Sequence, residues 1–435
     1  MRARRLALHA IVLGAVLAGH AGRAVAQPAQ AAPAPAQPEP QQQTDPTGQA
    51  APAEGGAKPE APDDRLFAPH PPLALWQGAA AEQAQAEQAA AAPAAAGTTR
   101  YVIDGYLSAS VGLRYRPDAV PRDRYQIGSL GTAAGILVQG APYEHFRYMI
   151  HVGFAALSQP GFNIYVDEAD IAYSPFEGLS FKVGHMRVPF SISQVALVTT
   201  LMFPTRAGPT EVFQSGADDG IQAALTVLDE RVRASIGAYN GSSLGLFDPF
   251  FTRVAPVLSA FLDVQPFGTL PAIEADSRHG PFRLGLSCGG LLTRGNVYDA
   301  AGYKASTFQD LRMNAAVRAA FRGLFLQGEY LRRLETNDLA GRPSTATGLY
   351  GETTYFLLFG DSFGLAPMAR IGRSRIDEAF APRETVEFEA GFGIYPRADL
   401  ADPSSLRVIL EYTNERRVTE NETAHGAIAN VQLVW

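Results

Sequence analysis

Arg312, Arg318 and Arg322 recur at even spacings in Asp310 to Arg322, and on an extended chain even spacing puts side chains on one face. Guanidinium groups stacked along one wall can hold phosphate or carboxylate anions. Lys182, Arg187, Arg233, Arg283 and Arg407 also sit in alternating segments, as do Arg147 and the acids Asp104, Glu329, Glu387, Glu389 and Glu411. A purely basic ladder would concentrate anions, whereas opposed rows of arginine and carboxylate set up a transverse field across a narrow polar path. The set here is mixed. Each arginine has two readings: a contact for a passing solute, or a partner for a neighbouring carboxylate that keeps the wall neutral.

Catalytic and metal chemistry find less support. No Gly-x-Ser-x-Gly nucleophile signature occurs. His145 and His151, six residues apart on one strand, would be roughly 20 Å apart at about 3.3 Å per residue and could not share a metal. The chain has 435 residues but one cysteine, Cys288, so neither a disulfide framework nor a redox pair is available. No cofactor, metal or enzymatic activity is expected. With 36 basic and 43 acidic residues the net charge is -7, which argues against nucleic acid as a partner.

The elements carrying these charges are strands. Leu311, Met313, Ala315, Val317, Ala319 and Phe321 interleave with the arginines, and the same period of two recurs in Phe146 to Phe154 and in Val386 to Ile394. Sixteen such segments fit between 100 and 435, each long enough for the 9 to 11 residues a tilted strand needs to cross a bilayer. The chain ends on Trp435, with Leu433, Val431, Ala429 and Ala427 at alternate positions before it, a pattern that resembles the signal read by the barrel-assembly machinery. Backbone groups in lipid must all be hydrogen-bonded internally, so the expectation is an all-β, closed antiparallel transmembrane barrel of about 16 strands, passing repeatedly through a bacterial outer membrane. Tyr101, Tyr115, Tyr173, Phe190, Tyr395 and Tyr412, near strand ends, are candidates for its aromatic girdles.

The region before the strands is of another kind. Arg2, Arg4 and Arg5, an apolar run from Leu6 to Leu17 and Ala24-Val25-Ala26 form a signal peptide over residues 1–26. Residues 27–98 are rich in Ala, Pro and Gln and too poor in large apolar side chains to offset chain entropy, so a disordered periplasmic leader is expected. The barrel then occupies 99–435.

Gly184-His-Met-Arg-Val-Pro-Phe190, the Gly216-Ala-Asp-Asp-Gly220 segment after the next long loop, and Gln327-Gly-Glu-Tyr330 are similar to blocks of the phosphate-selective porin O and P family. The arginine common in the second block is missing here. The resemblance implies a sixteen-stranded, trimeric channel whose third loop folds inward as a constriction, Ser191 to Ser215 in this chain, with Lys182 and Arg187 beside it. That loop carries one cation, Arg206, and one anion, Glu211. The expected function is passive diffusion of small hydrophilic solutes with a weak anion preference. An uptake channel specific for phosphate or another anion is the alternative, and an outer-membrane hydrolase and a plugged barrel anchoring the leader rank below it.

Overall fold

The computed structural model describes residues 100–435 apart from 122–123, 157–161, 197, 242–250, 272, 300–303, 338–342, 361–362, 378–381 and 397–404. The signal peptide expected over 1–26 and the leader over 27–98 lie outside the described residues.

Sixteen staves form one sheet. They are β1 (Arg100–Tyr115), β2 (Tyr125–Tyr143), β3 (Phe146–Ala156), β4 (Phe162–Phe176), β5 (Leu179–Arg187), β6 (Ala217–Val227) and β7 (Val232–Tyr239). β8 comes in two pieces (Phe251–Val254 and Val257–Val264), followed by β9 (Arg283–Asp299), β10 (Lys304–Phe321) and β11 (Leu324–Asn337). β12 is also in two pieces (Ser344–Tyr355 and Leu357–Phe359), and β13 (Phe363–Asp377), β14 (Arg383–Tyr395), β15 (Leu406–Arg417) and β16 (Glu422–Val434) complete the set. β8 is interrupted at Ala255-Pro256, where the proline has no N–H to donate to a ladder. β12 is interrupted at Phe356, which is fully buried and donates its N–H to the Gly323 carbonyl.

Neighbouring staves are antiparallel, and β1 pairs with both β2 and β16, so the sheet closes on itself. Beyond the last ladder pair, Trp435 and Gly105 exchange two N–H···O bonds of 3.0 Å each. Closure removes every unpaired edge, the condition for strands in lipid.

The alternation resolves as expected. On β10, Met313, Val317 and Phe321 are exposed on the outer wall while Asp310, Arg312 and Asn314 are buried inside. On β14 the outward residues are Phe388 and Phe392 and Glu389 points in; on β16 Val431 and Leu433 face out and Asn430 and Gln432 face in. A continuous apolar belt of this extent is a lipid-facing surface, and the chain is a multi-pass outer-membrane barrel. Tyr101, Tyr173, Tyr412 and Trp435 are exposed on it. Phe190 and Tyr395 depart from the girdle expectation: both are buried inside the barrel, because each follows the inward phase of its stave and packs under a segment that fills the lumen.

Most connections on the side of the chain ends are tight, such as 177–178 and 322–323. Among the described connections, two are long and enter the barrel from opposite ends. Residues 188–216, between β5 and β6, come from the far side; residues 265–282, between β8 and β9, come from the side of the chain ends.

Candidate functional site

The inserted loop 188–216 contains α1 (Ile192–Val195), a 3-10 turn (Val198–Thr200) and α2 (Gly208–Val212). Its root is fixed by a buried apolar cluster that includes Met186, Val188, Phe190, Phe213, Val257 and Leu331. Gly184 shapes the strand leading to it: with φ at +137°, a Cβ there would come within 2.2 Å of the Ala169 carbonyl oxygen. The loop's middle joins a second apolar cluster, in which Met202 and Phe203 meet Ala275 of the opposite insert and Phe356, Met368, Tyr395 and Ile409 of the wall.

Polar contacts then pin the loop across the lumen. Arg312 of β10 donates to the carbonyls of Phe213 (3.2 Å) and Gln214. Arg370 of β13 donates to the Thr205 carbonyl at 3.0 and 3.1 Å and stacks over the Phe203 ring at 4.2 Å. Arg407 of β15 donates to the Leu201 carbonyl and to Gln432. In the other direction, the Gly208 N–H donates to both oxygens of Glu387 on β14, at 2.9 and 3.1 Å.

The second insert meets the first. The Glu274 N–H donates to the Thr200 carbonyl, and the Met202 N–H donates to the Glu274 carboxylate at 3.1 Å. The Thr354 hydroxyl donates to the Glu274 carbonyl at 2.9 Å. Asp276 ties the turn to its surroundings, accepting from Arg283, from Gly280 N–H and from Gly323 N–H. Neither Glu274 nor Asp276 stood out in the sequence, since the segment has no periodicity and no resemblance to read.

These contacts change the role of the expected solute-binding residues. Arg187 bonds Asp167 at 2.7 Å and Glu168 at 2.9 Å, and both acids turn inward because Asp167 is the extra residue of a bulge between β3 and β4. Lys182 is buried on β5 in the field of Asp170 and Glu168. Arg206 does not project into the pore: it staples its own loop, donating to Ser193 Oγ and to the carbonyls of Gln194 and Ala196. Arg233 pairs with Glu230 across a surface turn at 3.0 Å, Arg283 with Asp276, Arg312 with Asp310 at 2.8 Å, and Arg318 with Asp263 at 2.5 Å. Arg322 is a correction: it sits in the β10–β11 turn with φ at +47°, exposed and placed over the Phe321 ring, so the strand face it was to share with Arg312 and Arg318 ends before it.

The carboxylates converge on one wall. Glu352, Glu387, Glu389 and Glu411 stand on the inner faces of β12, β14 and β15 around Arg370, which pairs with Glu352 at 3.6 Å and with Glu389 at closer range. Glu211, on α2 of the loop, adds to this field, and burial raises its pKa to about 7. His151 is spoken for elsewhere, with Nδ1 3.0 Å from Asp167. Among the described residues no three metal-ligating side chains converge as a metal site.

Solved structures share the closed barrel fold. The trimer form of OmpT, an outer membrane protein of Vibrio cholerae, matches with a TM-score of 0.52 at 12% identity, over 77% of this chain and 99% of that one. OmpF of Salmonella typhi, solved with daunomycin, matches with a TM-score of 0.51 at 10% identity over 76% of this chain and 97% of that one. The outer membrane channel DcaP of Acinetobacter baumannii matches with a TM-score of 0.50 at 10% identity over 79% and 99%. The fold of this chain is the one these outer-membrane proteins share. No protein-family model and no curated protein sequence matches the chain, so the likeness is one of fold.

Proposed function

We propose that the chain is a general porin, giving passive passage to small hydrophilic solutes across the outer membrane rather than catalysing a reaction. The observation that carries this is the closed sixteen-stave wall, apolar outside and charged inside, with the loop 188–216 folded into its lumen. Barrels of this stave number leave an aqueous interior that inserted segments narrow. A homotrimer is part of the proposal, supported by the trimer form of the similar OmpT. So are assembly through the terminal strand, where Leu433 and Trp435 face out, and export by the signal peptide.

The anion preference expected from an arginine ladder receives less support. Arg187, Arg283, Arg312 and Arg318 are each paired with a carboxylate, and Arg206 is spent on backbone carbonyls. A paired arginine contributes little net field at the distance of a passing ion. The proposal therefore includes no phosphate specificity.

Current through single channels of the purified mature protein in a planar bilayer tests this reading. Ohmic steps, unchanged by millimolar phosphate, are expected. Silence of the folded protein overturns the porin reading, and steps blocked by phosphate restore the anion-specific channel.

A further inference from the structure

One guanidinium serves the whole carboxylate wall. Arg370 pairs with Glu352 and Glu389 and also bonds the Thr205 carbonyl, while Glu387 is taken up by the Gly208 N–H. Glu411 is left over: it is 4% exposed, and neither carboxylate oxygen has a hydrogen-bond partner among the described residues. Its charged neighbours are Glu389, Arg370 and Glu387. A buried carboxylate without a donor loses its hydration and recovers nothing, so an ionised Glu411 is costly unless a proton or a positive donor completes it.

We propose that Glu411, together with Glu389 and Glu387, forms a binding site in the barrel wall for a small organic cation bearing a guanidinium or ammonium group. Four carboxylates around a single arginine leave the wall with an excess of acceptors, and an N–H donor that carries charge answers both the field and the empty hydrogen-bond positions of Glu411. The site rests on the porin reading, since Glu411 stands on the inner face of the wall, and it makes the channel retain some cations rather than pass all solutes alike.

The test is block of potassium current through the full mature protein by guanidinium chloride at millimolar concentration in a planar bilayer. Wild-type current should fall with guanidinium concentration. Glu411→Gln and Glu389→Gln should raise the half-blocking concentration by about tenfold or more, the scale of one lost charge-assisted hydrogen bond. Glu411→Asp should keep most of the block, and Glu420→Gln, in the distant β15–β16 turn, should keep all of it. Heat-modifiable electrophoretic mobility checks that each variant is folded. If Glu411→Gln fails to fold, the comparison of Glu389→Gln with Glu411→Asp decides the same point. Equal block of wild type and the Gln variants, or ohmic current with no block, overturns the site and leaves the porin standing. No current from folded wild type overturns both.

Discussion

The two segments inside the barrel differ in the groups that carry most of their anchoring. The loop 188–216 offers backbone carbonyls, and arginines of the wall donate to them: Arg312 to Phe213 and Gln214, Arg370 to Thr205, Arg407 to Leu201. The turn 265–282 offers carboxylates, and backbone N–H groups donate to those: Gly280 and Gly323 to Asp276, Met202 to Glu274. Both solve one problem, which is how to satisfy irregular backbone placed in a barrel's interior. The difference teaches what the lumen arginines are for. Charged side chains of the wall anchor the first insert, so an arginine pointing inward is a structural tether before it is a contact for solute.

Arg370→Ala should have the largest effect. It frees the tip of the loop and leaves Glu352 and Glu389 without their cation, a loss of about 3–5 kcal/mol for breaking a buried pair. Thermal unfolding of the variant should shift down and its single-channel conductance should rise as the loop leaves the lumen. An unchanged conductance would mean that the apolar cluster around Met202 and Phe203 holds the loop without help. Asp276→Ala, the matching change in the other insert, removes the acceptor for Arg283 and two N–H groups and should cost about 2–4 kcal/mol. Conductance should rise less than for Arg370→Ala, because Glu274 still ties the turn to the loop.

The first insert also carries a response to pH. Glu211 has its pKa raised by burial to about 7, above its unfolded value, so the folded loop binds this proton more tightly than the unfolded chain does. Stability from this group is fully present below the unfolded pKa and is lost as pH rises toward 7. Between about pH 5 and pH 8 the docked loop should loosen, read as larger or noisier single-channel current, and Glu211→Gln should remove that dependence. Arg322→Ala marks the bottom of the scale. On an exposed turn it should change stability by no more than about 0.5 kcal/mol and leave ion selectivity as it was, checked by thermal unfolding and reversal potential in a potassium chloride gradient.

The barrel was legible because its signal is local and repeated. Period-two alternation in Asp310 to Phe321 and Val386 to Ile394 needs only the pleat to be read, and the structure places those apolar sets outside as expected. The inserted loop was legible at its borders, where Pro189-Phe190 and Asp218-Asp219-Gly220 flank it. The turn 265–282 was not, since nothing in Glu274 or Asp276 distinguishes a carboxylate bound to backbone from one in solvent. Arg322 was misplaced for a comparable reason: alternation continues on paper through a residue that the turn has already rotated out of the strand.

By itself the amino-acid order determined that the chain forms outward-apolar strands that must close into a barrel, because each residue's face depends on its immediate neighbours and backbone in lipid has no other donor or acceptor. Only the tertiary structure decided which inward charges cancel. Arg312 meets a loop residue 98 positions away and Arg407 meets one 206 away, and such pairings follow from how the staves and inserts are stacked around the lumen, which no local spacing encodes.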